Sequence, residues 1–137
     1  METDWSPESA IAAYKQSQLK DWVIKFLHNS PGSNRGLAKH IQDHPDTIFQ
    51  EPKIVKLFQL IPISGKPEDN RKFSDTQWDA RIEIMANDIK AGWNPPPLIV
   101  TNYFGQENSL ADGNHRWAAL MKAGHNEYWA ICFNSPR

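Results

Sequence analysis

The sequence lacks several features that would mark particular protein classes. It contains one cysteine, Cys132, which excludes an internal disulfide framework. No apolar stretch approaches the ~20 residues that a membrane-spanning helix needs, and the acidic residues at positions 2 and 4 are unlike the start of a secretion signal. The formal net charge of −1 gives no sign of a strongly basic nucleic-acid-binding face. We therefore expect a cytoplasmic protein that does not bind membranes.

The residues that are present predict a single packed domain. The chain has 137 residues, of which 39% are hydrophobic, and six of them are tryptophan, which is enough for a core. Hydrophobic spacing and turn residues predict the following elements: a helix from Ser6-Pro7 to Ser30, a helix over 35–43, a strand over 54–61, a helix from the capping box at 74–77 to Gly92, a strand over 98–103, a hairpin partner at 109–111, a helix over 115–122 ending at Gly124, and a strand over 127–133. This alternation indicates an α/β (α+β) fold with a mixed sheet.

The strongest chemical signal is the run Asp112-Gly113-Asn114-His115-Arg116, here called the 112–116 motif. It follows a short apolar run and precedes a helical pattern, so its residues fall at a helix start. The unsatisfied N–H groups and partial positive charge of a helix start favour anions. Gly113 lets the backbone approach a ligand, Arg116 can clamp phosphate oxygens, and His115 can donate a hydrogen bond or a proton. The motif predicts a phosphate site.

Asp112 is the odd member of the motif, because a carboxylate repels phosphate. With a nucleotide as ligand, Asp112 would act as a magnesium contact or as the base for an attacking hydroxyl. The alternative is purely structural: Asp112 caps the helix and Arg116 pairs with a surface carboxylate.

Other candidate residues lie outside the motif. Lys66, Arg71 and Lys72 form a basic loop, from which Arg71 would contact the ligand. His40 and His44 have the spacing of a metal pair, but no third ligand accompanies them, so a surface pair is the expected reading. Trp93 is the candidate for stacking on a base, and Cys132 is expected to be a buried structural thiol.

Residues 54–133 resemble the ParB/sulfiredoxin-like domain. The resemblance rests on the apolar strand Leu98-Ile99-Val100, the 112–116 motif with Trp117-Ala118-Ala119 after it, and Ala123-Gly124 before the last strand. It implies a nucleotide-binding mixed sheet flanked by helices over residues 51–137, with residues 1–50 as an N-terminal helical extension.

The branches of this family imply different activities. Sulfiredoxins carry a reactive cysteine where this chain has Asn114, so reductase activity is not expected. ParB proteins bind CTP through a Gly-x-x-Arg element that Gly113 and Arg116 match. Free-serine kinases carry Asp-Gly-His-His-Arg, which differs from this chain only at Asn114. Their aspartate is linked to activation of the substrate hydroxyl, and their early glutamate has Glu51 and Glu68 as its nearest counterparts here.

The resulting expectation is a protein that binds ATP or ADP, with CTP as the alternative, together with Mg²⁺. Asp112 and His115 would be catalytic, Asp112 would also contact the metal, and the phosphates would be bound by Gly113, Asn114, His115, Arg116 and Arg71. The reaction would be phosphoryl transfer to a small molecule, or nucleotide hydrolysis. Two alternatives remain open: a DNA-associated nuclease or CTP-gated DNA-binding protein, and a non-catalytic interaction module of the same fold.

Overall fold

A computed structural model describes residues 5–29, 34–62, 75–101 and 108–134, and it shows a mixed α/β fold. The elements are, in chain order, α1 (Pro7–Lys15), α2 (Leu19–Asn29), α3 (Arg35–Asp43), β1 (Ile48–Phe49), β2 (Lys53–Lys56), a 3-10 helix (Leu57–Gln59), β3 (Ile61–Pro62), α4 (Asp75–Lys90), β4 (Leu98–Thr101), β5 (Ser109–Asp112), α5 (Asn114–Lys122) and β6 (Glu127–Asn134). The described helices include none that is both long and apolar enough to cross a membrane.

The sheet is mixed, as the sequence predicts. Its strands run in the order β1-β6-β4-β5-β3, and β2 also pairs with β6. The central pair β4 and β6 is parallel, β4 and β5 are antiparallel, and β3 joins β5 in parallel. The predicted hairpin partner at 109–111 is therefore confirmed, whereas the turn residues 102–107 lie outside the described residues.

The first predicted helix is wrong in its extent. The chain forms two helices, α1 and α2, because it turns at Ser17, whose φ is +60°. The start is confirmed, since Ser6 caps α1 through its side chain and Pro7 occupies the first turn. The break has neither glycine nor proline, so the usual signal for a helix end is missing.

The predicted strand over 54–61 is also wrong, because it divides into three pieces. Residues 53–56 form β2 beside β6, Leu57–Gln59 form a 3-10 helix, and the chain then reaches the other sheet edge as β3. Leu57 is buried at the turn, and its carbonyl accepts a hydrogen bond of 2.8 Å from Trp117 Nε1. Packing of Leu57 and Trp117 thus overrides the strand preference of the run.

Alternate residues of the central strands face two separate cores. Leu98 and Val100 pack with α4 and α5, while Ile99 and Ala111 pack with α1, α2 and α3 on the other face. The molecule therefore has three layers, with the sheet between two groups of helices. The division at residue 50 stays a prediction, but the N-terminal helices share a continuous core with the sheet.

Candidate functional site

The 112–116 motif spans the turn from β5 into α5. Asp112 ends the strand, Gly113 is the N-cap residue, and Asn114 begins the helix. The φ of Gly113 is +99°, a conformation that L side chains rarely adopt. A Cβ atom at Gly113 would also lie 2.8 Å from Arg116 Nη2 and 3.0 Å from Leu98 Cδ2. Backbone conformation and space both require glycine at this turn.

Arg116 turns inward and leaves 12% of its side chain exposed. Its Nη2 donates to the Pro97 carbonyl at 2.9 Å and to Asp112 Oδ2 at 3.5 Å. Its Cζ lies 5.3 Å from the ring centre of Phe26, in cation–π range. Burial lowers the pKa of Arg116, and the Asp112 carboxylate opposes that shift. The guanidinium thus contacts the turn from the protein interior and stabilises it.

Asp112 receives a hydrogen bond at each carboxylate oxygen. Oδ2 faces Arg116, and Oδ1 accepts from Asn34 Nδ2 at 3.2 Å. Asn34 is the residue immediately before α3. The structural alternative is wrong about Asp112, because Gly113 is the N-cap residue and no side chain caps α5. Arg116 does pair with a carboxylate, but that carboxylate is Asp112 of the same motif, in a half-buried position.

The first turn of α5 retains polar groups that the described residues do not satisfy. Gly113 has no side chain, and no side-chain hydrogen bond caps the helix. Asn114 Oδ1 and Arg116 Nε are buried and have no hydrogen-bond partner among the described residues. Buried polar atoms are nearly always paired with protein, water or ligand. His115 lies on the same turn and is half-buried.

A second set of polar contacts fixes the segment that carries Pro97. Tyr128 donates its hydroxyl proton toward two oxygens, Asn94 Oδ1 at 2.8 Å and the Pro95 carbonyl at 2.5 Å. Asn94 Nδ2 in turn donates to Glu8 Oε1 of α1 at 3.2 Å. The carbonyl that binds Arg116 is therefore held between β6 and the N-terminal helices.

The structure describes only some of the other predicted residues. Arg71, Lys66, Lys72 and Glu68 lie outside the described residues, and Glu51 is exposed just before β2. Trp93 is 40% exposed after α4, as a candidate for stacking requires.

The predicted histidine pair and the cysteine lie on other parts of the fold. The rings of His40 and His44 lie 4.2 Å apart between their centres. Among the described residues, no group of three His, Cys, Asp or Glu side chains forms a metal site. Cys132 is half-buried, and burial raises the pKa of its thiol.

Three contacts at the motif have no local signal in the sequence: those with Phe26, Asn34 and Pro97. Asn34 stands before a predicted helix and so has the signal of an N-cap, but its contact with Asp112 spans 78 positions. Phe26 has the spacing of an ordinary core residue. A groove of about 380 Å³ between α1 and α2, lined in part by Trp5, Trp22 and Lys25, contains no residue of the motif.

Comparison with solved structures finds a similarity to a Pnob8-like ParB-N domain, in its C2221 form. The two chains are 15% identical with a TM-score of 0.41, and the match covers 66% of this chain and 31% of the other. The chain thus spans about a third of the length of the structure that it matches. Scans against family models and curated proteins give no match.

Proposed function

We propose that the protein binds the phosphate groups of a nucleoside di- or triphosphate at the first turn of α5. The observation that carries the proposal is the uncapped helix start beside a buried donor, Arg116 Nε, which has no hydrogen-bond partner among the described residues. The N–H groups of Asn114 and His115 would donate to phosphate oxygens, helped by the helix dipole. Gly113 allows the left-handed turn that precedes these groups, with a φ of +99°.

The inward position of Arg116 limits its part in binding. Nη2 is committed to Pro97 and Asp112, so Arg116 reaches a phosphate through Nε and Nη1 unless those bonds break. A buried guanidinium also acts at short range through its charge, because a low dielectric strengthens electrostatic interactions. The Asp112 carboxylate cancels part of that charge.

Mg²⁺ fits the site as a companion of the nucleotide. Magnesium in proteins is usually bound by one or two carboxylates, substrate phosphates and water. Asp112 supplies one carboxylate, and each of its oxygens can accept more than the single hydrogen bond that it receives here. Asp112 would hold the ion together with the phosphates, and the ion would neutralise phosphate charge.

Phosphoryl transfer or nucleotide hydrolysis is the reaction that we propose. Asp112 would accept the proton of the attacking hydroxyl or water, which requires the carboxylate to exchange its bond with Asn34 or Arg116 for one with substrate. His115, half-buried on the same turn, would donate to a phosphate oxygen or supply a proton.

A non-catalytic nucleotide-binding module is the second candidate. It is favoured by the same two bonds to Asp112, because a carboxylate used for structure is not available as a base.

A thermal-shift panel with MgATP, MgADP, MgCTP and MgGTP tests binding. A nucleotide at ten times its Kd stabilises the fold by ~1.4 kcal/mol. Asn114→Asp should abolish the shift, because it adds a carboxylate where phosphate would bind while suiting the first turn of a helix. Asn126→Asp is the matched control, since it adds the same charge at an exposed position beyond the other end of α5.

The outcomes separate the candidates. No shift with any of the four nucleotides overturns nucleotide binding. Binding with turnover that Asp112→Asn removes supports catalysis, whereas binding without turnover in either protein supports the non-catalytic module.

A further inference from the structure

We propose that Asn34 is a positioning residue for the site, so that the N-terminal helices complete it. This inference rests on the proposed function for its consequence in binding, but its structural part can be tested without any ligand. Asn34 would fix the Asp112 carboxylate, and through Asp112 it would fix Arg116 and the first turn of α5.

Asn34 is held in place by hydrogen bonds of its backbone and of its side chain to different partners. Its backbone N–H donates to the Leu27 carbonyl of α2 at 2.8 Å, and its Oδ1 accepts from Leu37 N at 3.1 Å as the cap of α3. Because Oδ1 is used as the cap, Nδ2 must point the other way. It donates to Asp112 Oδ1 at 3.2 Å. The cap thus sets the orientation of the amide that binds the carboxylate.

The hydrogen bond from Asn34 matters because the other hydrogen bond to the Asp112 carboxylate constrains its orientation only weakly. The contact between Arg116 Nη2 and Asp112 Oδ2 is long, at 3.5 Å, while Nη2 has its shorter bond with the Pro97 carbonyl. Asn34 therefore makes the shorter of the two hydrogen bonds that Asp112 receives. A donor to an ionised carboxylate is among the stronger hydrogen bonds of a protein.

A second contact from the same layer acts on Arg116. Phe26 of α2 is fully buried, and its ring faces the guanidinium carbon. Phe26 and Asn34 belong to the helical layer on one face of the sheet, whereas α5 lies on the other face. Both charged residues of the motif are therefore held by the N-terminal helices.

Asn34→Ser separates the positioning role from helix capping. Serine caps a helix about as well as asparagine, but its hydroxyl is too short to reach Asp112. Ser6→Ala is the control, because it removes a side-chain cap in the same helical layer, at the start of α1. Amide hydrogen exchange of residues 113–116, measured without nucleotide, is the first readout.

We expect exchange at residues 113–116 to become about tenfold faster in Asn34→Ser, the effect of one lost hydrogen bond to a charged group. Ser6→Ala should leave these amides unchanged. Asn34→Asp should speed the exchange of these amides more than Asn34→Ser does, because it places two carboxylates together. Adding Asp112→Asn to Asn34→Asp should restore protection, since a donor and an acceptor then face each other again.

Nucleotide binding is the second readout and separates the two proposals. Weaker binding of MgATP to Asn34→Ser, with Ser6→Ala unchanged, supports the positioning role in function. Altered exchange with no nucleotide bound by the wild type overturns the proposed function and leaves the positioning role supported. Unchanged amide exchange in both Asn34 variants overturns the positioning role, whether or not a nucleotide binds.

Discussion

Replacement of Gly113 by alanine should destabilise the protein for two reasons that can be separated. The positive φ of +99° strains any L residue, which costs roughly 1–2 kcal/mol. The new Cβ would also lie 2.8 Å from Arg116 Nη2, closer than carbon and nitrogen tolerate, so the guanidinium must move off the Pro97 carbonyl. Overpacking of this kind costs about 1–3 kcal/mol.

Gly124→Ala is the control that isolates the strain. Its φ of +96° is almost the same, but a Cβ there meets no atom within 4 Å. Urea unfolding of the two variants and the wild type, followed by tryptophan fluorescence, gives the free energy of unfolding. We expect Gly113→Ala to lose about 1–3 kcal/mol more than Gly124→Ala. Equal losses would refute the inward position of Arg116.

Three further predictions concern charge and pH. Arg116→Met should lower the free energy of unfolding in urea by about 3 kcal/mol, because Asp112 then stays half-buried without a cation. Adding Asp112→Asn should recover part of that loss. An Arg116→Met variant as stable as the wild type would contradict the pairing. Burial and His44 lower the pKa of His40 below 6.5, so the unfolded chain binds the proton more readily than the folded chain. The free energy of unfolding should therefore fall as the pH drops through 6.5, and His40→Gln should reduce this pH dependence. Burial raises the pKa of Tyr128 well above 10.0, so stability should fall as pH rises past 10, and Tyr128→Phe should flatten that alkaline slope in thermal unfolding measured against pH.

The C-terminal half of the fold follows from local signals in the sequence. Strands β4, β5 and β6 and helix α5 lie where periodicity and turn residues predict them. The ends of α4 and α5 are followed by Gly92 and Gly124, both with positive φ, as left-handed caps require. The capping box at 74–77 includes Ser74, which lies outside the described residues.

The N-terminal half of the fold is harder to predict from the sequence, because tertiary packing decides where its elements begin and end. The turn at Ser17 lacks glycine and proline, and the division of residues 53–62 depends on Leu57 packing beneath Trp117. The two-residue strand β1 pairs with the far end of β6, and that pairing has no local signal.

At the candidate site, the motif residues were predictable but their partners were not. A helix start with glycine before it is a local pattern, and the structure shows α5 beginning at Asn114. The contacts of Asp112 with Asn34 and of Arg116 with Phe26 join distant parts of the chain. A sequence pattern shows which groups are present, but not whether a guanidinium faces solvent or the core.

The central claim is that phosphate binds at the first turn of α5, and an NMR titration of the backbone amides tests it most directly. MgATP, MgADP, MgCTP and MgGTP would each be added to the isotope-labelled protein. We predict that the largest shifts, with any nucleotide that binds, occur at the amides of Asn114, His115 and Arg116, and that Asn114→Asp removes them. Binding that shifts other amides and leaves these three unchanged, or no shift with any nucleotide, would contradict the claim.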